Sequence, residues 1–292
     1  MKLNLNPNYN LAFSAIHTKN VVQSNLSKTN YLNHTSHFFR YRSTDEFLIN
    51  YLSKLNQDSI NIVSAGCSYG EEAYSYAIGL IDKPNVQINA FDISQEAIKG
   101  AKKGEYVLSS QEKLYLDPRR FPLKSKNTKE PLQDKIQKDF MKNFRCVSWK
   151  DNKFKLKNGH LNNCNFFVGD ITKTQEYFEK NSQDLILCRY VLYHLDEESK
   201  ENALSQFYET LKPGGLLCFE VDDDFAVKSS TMFALGFTRP FFPNFPHIYQ
   251  KPNNPIDREE MLLNYQIQKL IEISNNYNKP YFQESKIWKF HQ

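Results

Sequence analysis

No apolar run in this sequence approaches the roughly 18 residues that a membrane-crossing helix needs, so no membrane span is expected. The first thirty residues lack the apolar centre of a secretion signal. They contain no Asp, Glu or Arg and much Asn, which is unlike an Arg-rich transit peptide. The five cysteines, Cys67, Cys146, Cys164, Cys188 and Cys218, are odd in number and form no CxxC pair. Neither a zinc site, nor any other metal site, nor a disulfide framework is expected, and a reducing cytoplasm suits such a chain. Charge of one sign is also in short supply: the net value is +4 over 292 residues, too little to indicate nucleic acid. Glycine is the informative scarcity, with ten in the chain. Two of them, Gly66 and Gly70, stand four apart directly after an apolar run, where a chain so poor in glycine uses them for backbone geometry.

What is present describes a folded protein: 40% hydrophobic residues, 24% charged residues, 22 Phe and 17 Tyr. Residues 1–32 are Asn-rich and weakly patterned and read as a loosely packed arm. Apolar spacing predicts a helix from Phe38 to Leu55, with Phe47, Leu48, Tyr51, Leu52 and Leu55 on one face. Strand signals follow at Ser59–Ala65 and Val86–Phe91, separated by a helix over Glu71–Ile81. Asp92 ends the second strand, and Ser94 is the N-cap expected for a helix through Lys103. Three more strand-length runs, Asn165–Val168, Asp184–Cys188 and Leu216–Val221, resume the alternation, with a helix at Glu197–Leu211 between the last two. This pattern predicts an α/β fold with a doubly wound, Rossmann-like sheet. The stretch 105–163 interrupts it. Pro118, Pro122 and Pro131 mark its first part as loop, Leu132–Phe144 looks helical, and turn signals at Asp151-Asn152 and Asn158-Gly159 suggest a small antiparallel β insert over about 145–164. The expected organisation is an arm and helical segment, 1–55, then a main domain, 56–292, with an extension over 239–292. In that extension a helix at Arg258–Ile273 and a strand near Ile287–Phe290 could complete the sheet. The Phe- and Pro-rich part, 239–255, reads as a packed surface loop or a lid.

The chemistry concentrates in Ser64-Ala65-Gly66-Cys67-Ser68-Tyr69-Gly70-Glu71-Glu72. A glycine turn between strand and helix can cradle a nucleotide cofactor. Two glutamates at the helix start would repel a pyrophosphate but attract an ammonium or sulfonium. That favours S-adenosylmethionine over NAD or ATP. The plainer reading is that both acids complement the helix N-terminus. Asp92, 22 residues beyond Gly70, suits ribose hydroxyls or simply the helix after it. Gly169-Asp170-Ile171 could meet adenine. Arg189-Tyr190 and Tyr193-His194 follow the fourth strand, at the carboxyl edge where ligands bind in such sheets.

These residues resemble a known family. Ser36-His37-Phe38-Phe39-Arg40, the loop Ser64–Glu72, Phe91-Asp92-Ile93, Gly104-Glu105-Tyr106, Phe140-Met141, Leu187-Cys188-Arg189 and Leu211-Lys212-Pro213-Gly214-Gly215 are similar, in order, to the CheR-type chemotaxis receptor methyltransferases. These are S-adenosylmethionine-dependent protein-glutamate O-methyltransferases of class I fold. The resemblance implies that Arg40 lies beside the methyl donor and helps hold the acceptor carboxylate. It places Ser36 and His34 where the family has Thr and often Asn. It has Glu71 or Glu72 hold the methionine amine and Asp92 the ribose, with Asp170 and Ile171 near adenine and Arg189 and Tyr190 at the cofactor. His194, with Tyr193 beside it, stands where the family has Tyr. Tyr190 replaces an Asn, and Glu220-Val221-Asp222-Asp223-Asp224 replaces a Gly-His-Ser-Glu segment. The 37 residues before Phe38 read as too few for the family's N-terminal helical domain.

These departures leave the acceptor open. A glutamate carboxylate on a protein partner needs no general base, because it is ionised at pH 7. A hydroxyl, amine or thiol would need one, and His194 could serve. A non-catalytic S-adenosylmethionine-binding scaffold is a third reading. A nucleic-acid methyltransferase is disfavoured, since the Lys-rich segment 124–157 reads as a solvated face.

Overall fold

The computed structural model describes residues 36–117, 132–220, 227, 229–240, 242 and 244–254. The arm 1–32, His34, the proline-bearing segment 118–131, Asp222-Asp223-Asp224 and the expected elements at 258–273 and 287–290 lie outside the described residues.

Six strands form the main sheet, in the order β6 (Cys164–Val168), β2 (Val86–Asp92), β1 (Ile60–Ala65), β7 (Gln183–Leu187), β8 (Leu211–Cys218) and β9 (Ile248–Gln250). The first five are parallel and β9 runs antiparallel on β8. Central parallel strands are covered on both faces, which is why Ile62-Val63 of β1 and Leu185-Ile186-Leu187 of β7 are apolar at consecutive positions. Ile60, Ile62, Leu185 and Leu187 face one core with the helices Arg42–Ser53 and Glu71–Gly79. Val63, Ala65 and Ile186 face the other with Ala203, Leu204 and Phe207 of the helix Glu197–Thr210. Strand order reverses between β1 and β7, so a crevice opens beyond their carboxyl ends, between Ala65 and Leu187. The doubly wound reading of the sequence is therefore realised.

Ser94 caps the helix Gln95–Lys103 as expected: its side chain accepts the Ala97 N–H at 3.2 Å. Ser94→Ala is expected to cost about 1 kcal/mol. A loss of stability in urea unfolding of less than about a quarter of that amount would show the cap to be idle.

Four expectations need correction. The helix read from Phe38 begins only at Arg42, and Phe38-Phe39-Arg40 is a turn. Phe39 has φ +48°, a left-handed backbone that no helix interior tolerates. Both phenylalanines are nonetheless buried, and the Phe38 ring meets Tyr106, Phe140 and Phe144 edge-on at 4.9, 5.4 and 5.6 Å. The buried stripe of the helix is Asp45, Leu48, Ile49 and Leu52, with Phe47, Tyr51 and Leu55 only half-buried on its flank.

The antiparallel insert reaches outside 145–164 and has three strands, ordered β3 (Glu105–Val107), β5 (Lys153–Leu156), β4 (Phe144–Ser148). Residues 105–116, read as loop, supply β3 and the helix Ser110–Leu116, closed by a capping box between Ser109 and Glu112. Finally, the stretch read as surface loop or lid contributes β9, where Ile248 and Tyr249 are buried.

Candidate functional site

The turn after β1 is shaped by its glycines. Gly66 has φ +78° and Gly70 φ +90°, and Ser68 between them is left-handed at +49°. A Cβ on Gly66 would run into Val191, and one on Gly70 would stand 2.8 Å from Phe166 and 2.9 Å from Ala101. The carbonyl of Phe91 accepts both Gly66 N–H and Cys67 N–H, at 2.8 and 2.9 Å, which ties the turn to the end of β2. The loop after β7 therefore closes directly over the turn after β1, at the crevice the topology makes.

Asp92 binds this loop from the side. One carboxylate oxygen accepts Ser68 N–H at 2.8 Å and the other accepts Ser94 N–H at 2.9 Å. Asp92 thus serves the start of the following helix, the plainer of its two readings, and also braces the glycine turn at the crevice.

Glu71 and Glu72 begin the next helix but face different partners. Burial pushes the Glu71 carboxyl up to about 7, against its own backbone N–H and the Ser36 side chain, which pull it down. Its Oε2 is buried without a hydrogen-bond partner, and so is Ser68 Oγ across the loop. Glu72 is also raised by burial, opposed by Arg189 and by the Ser64 hydroxyl, which donates to it at 2.6 Å. Cys67 is held far from reactivity: burial, then Asp92 and Glu72, raise its thiol well above the usual range.

Arg40 leaves its turn toward the same corner. Its guanidinium lies 4.0 Å from the Tyr190 ring centre and 5.7 Å from that of Tyr41. It is close enough to Glu72 to favour that residue's charged form. Tyr41 and Tyr190 stack at 6.0 Å, and Tyr190 sits at φ +59°, a strained backbone for an aromatic residue. Tyr193 and His194 continue this rim, with ring centres 3.9 Å apart and both side chains exposed. Partial burial holds the His194 imidazole below its ordinary value.

Arg189 is placed elsewhere than at an open cofactor surface. Its side chain is 6% exposed, and Nη2 meets Asp45 at 2.7 Å while Nε stands 3.4 Å from both Glu72 and Glu220. The hydroxyl of Tyr76 joins at 3.0 Å. Burial opposes the charge on Arg189, and the surrounding acids, Asp45 foremost, more than restore it. Asp170 caps a short turn, accepting Thr172 N–H at 2.9 Å, and Ile171 is buried in the core beneath the sheet edge. His34 lies outside the described residues. Sequence reasoning missed Asp45, Ser75 and Glu112, polar residues with partners far away in the chain. A buried acid inside an amphipathic stripe, as Asp45 is, was the one signal on offer.

S-adenosylmethionine fits this corner. It carries an ammonium that the orphaned, buried Glu71 Oε2 can accept. Among the described residues, no helix is long and apolar enough to cross a membrane.

Comparison with known proteins agrees. The chain matches the family model CheR methyltransferase, SAM binding domain, over residues 33–141 and 124–236, more than half of its 292 residues. It is 29% identical over 189 residues to a chemotaxis protein methyltransferase of Listeria monocytogenes, covering 62% of each chain. A Borreliella burgdorferi protein of the same description is 30% identical over 204 residues, 63% of this chain and 62% of its own. The match thus spans about three-fifths of the length of these curated relatives. Among solved structures, phosphoethanolamine N-methyltransferase 2 of Haemonchus contortus with S-adenosyl-L-methionine aligns at 14% identity and a TM-score of 0.37, over 85% of this chain and 46% of that one. The extent of the family match settles membership: this chain is one of the CheR methyltransferases, by its S-adenosylmethionine-binding domain.

Proposed function

We propose that this chain methylates glutamate carboxylates on a chemoreceptor-type protein in the cytoplasm. The observation that carries the reading is Arg40: a guanidinium fixed on the face of Tyr190, beside the donor-binding glutamates. A guanidinium presents paired N–H donors that match a carboxylate's two oxygens, and an aromatic platform keeps it oriented. S-adenosylmethionine supplies a methyl group activated by a sulfonium. In this reading Glu71 receives the ammonium of the methionine part, Asp92 borders the ribose, and Asp170 and Ile171 border adenine. Arg40 aims the acceptor carboxylate, with Ser36, bonded to the Glu71 carboxylate, on the same side of the site. Arg189 works from behind, holding Glu72 in place. No base is needed, so catalysis rests on bringing two opposite charges together out of water.

A second reading draws on His194. Its imidazole, held below its ordinary value by partial burial, stands at the rim beside Tyr193, so it could take a proton from a hydroxyl or amine acceptor.

The test is transfer of labelled methyl from S-adenosylmethionine to chemoreceptor-bearing membranes. A carboxyl ester releases its label as methanol in mild alkali. Label that survives alkali would overturn the carboxylate reading and favour the acceptor that His194 suits.

A further inference from the structure

We infer that Glu112 is the positioning residue for Arg40. The inference rests on the reading that Arg40 borders the methyl donor. Glu112 lies in the helix Ser110–Leu116, 74 positions from Phe38 and outside every motif that marks the site. Its side chain is 6% exposed. One carboxylate oxygen accepts Phe38 N–H at 2.8 Å, and the other accepts Ser109 N–H at 2.7 Å. His37 Nδ1 stands 3.5 Å from that second oxygen.

The bond to Ser109 is half of a capping box, which a glutamate at a solvated helix start makes equally well. Capping explains neither the burial of this carboxylate nor its second bond, across to the turn that carries Arg40. Ionised acceptors of backbone N–H groups form stronger bonds than neutral ones, and the effect grows away from water. The next residue of the turn is held too: Ser75 Oγ accepts Phe39 N–H at 3.0 Å while donating to the Glu71 carbonyl at 2.7 Å. Ser36 is bonded to the Glu71 carboxylate. Anchors at 36, 38 and 39 over-determine a turn whose left-handed Phe39 would otherwise relax. Arg40 emerges from the end of that turn with its guanidinium on Tyr190. Loss of Glu112 frees Phe38 N–H and lets Arg40 leave its place.

The test is a double-mutant cycle on the full chain: wild type, Arg40→Ala, Glu112→Ala and the pair, each titrated calorimetrically with S-adenosylhomocysteine. Amide hydrogen exchange over 36–41 is followed in parallel. Glu112→Ala is expected to weaken binding about tenfold and speed exchange in the turn. At pH 8, where Glu71 is ionised whether or not the Glu112 charge stands near it, the same change in the Arg40→Ala background should alter affinity less than about twofold, because its remaining effect runs through Arg40. Glu112→Gln, which keeps the shape and one acceptor oxygen, should fall between, and it carries the cycle if the alanine variant does not fold. Independent, multiplying losses would overturn the inference and leave the role of Arg40 intact. So would a weakened Arg40→Ala beside a Glu112→Ala of wild-type affinity. An Arg40→Ala protein with wild-type affinity would instead remove Arg40 from the donor, and the inference with it.

Discussion

Glu71→Gln is expected to lower affinity for S-adenosylhomocysteine by about ten- to a hundredfold, the range for losing one charged hydrogen-bond partner in a buried place. The wild-type protein should also show a pH dependence that the variant lacks. Burial raises Glu71 to about 7, so in the ligand-free protein it is protonated over much of the acid range. An ammonium pairs with the carboxylate, not with the acid. Below pH 7 the ligand must expel a proton to bind, and affinity should fall by up to about tenfold per pH unit between 7 and 5. Above pH 7 the acid is already ionised and the profile flattens. Calorimetry in two buffers of different ionisation enthalpy would count the expelled proton directly. A wild-type affinity that is flat from pH 5 to 8 would remove Glu71 from this role. The ligand-free protein should show the reverse trend in stability. Its folded Glu71 value lies above the ordinary 4.5, so the folded chain holds that proton more tightly than the unfolded chain. The contribution favours folding below 4.5, is lost as pH rises toward 7, and is restored by ligand.

Arg189→Met should produce the largest loss of stability of any single change considered. Asp45, Glu72 and Glu220 converge on this one guanidinium, with side chains 2%, 16% and 1% exposed. Removing the cation from a buried cluster leaves uncompensated charge, at a cost of about 3–5 kcal/mol. The orphaned acids would then take up protons, so the deficit should shrink as pH falls from 8 to 5. Urea unfolding of both proteins at the two pH values measures it. A loss below about 1 kcal/mol, or a gap that widens in acid, would show that Arg189 is not their counter-ion. The same variant should bind S-adenosylhomocysteine poorly, because Glu72 and the helix start behind the glycine turn lose their anchor.

The glycine turn, Asp92 and the doubly wound alternation of the main sheet were all legible in the sequence, and for a shared reason. Each depends on local geometry: a positive φ after a strand, a carboxylate at a helix start, alternation of apolar runs. The rest of the site depends on distant partners. Asp45 is a lone acid within a helix stripe and Glu112 part of an apparent loop until the fold brings Arg189 and Phe38 to them. Phe38 and Phe39 fall in step with Leu48 and Leu52, so their turn imitates a helix. β3 is three residues long, too short for its alternation to register. Arg189 follows a strand as a ligand-binding residue would, and nothing in its neighbours announces three acids from other parts of the chain.

The Phe38 ring, set edge-on among Tyr106, Phe140 and Phe144, has a consequence for the order in which the chain acquires its shape. Among the described residues, the anchors of the Arg40 turn all come later in the sequence, and the Glu112 anchor alone is 74 positions from Phe38. Contacts of such separation carry a large loop-closure cost and form slowly compared with the neighbouring β1–β2 pairing. A ribosome must release the whole insert before that turn has walls to rest on. The corner nearest the reaction is thus among the last parts of the molecule to be built, and the insert is not a module that can be exchanged without rebuilding it.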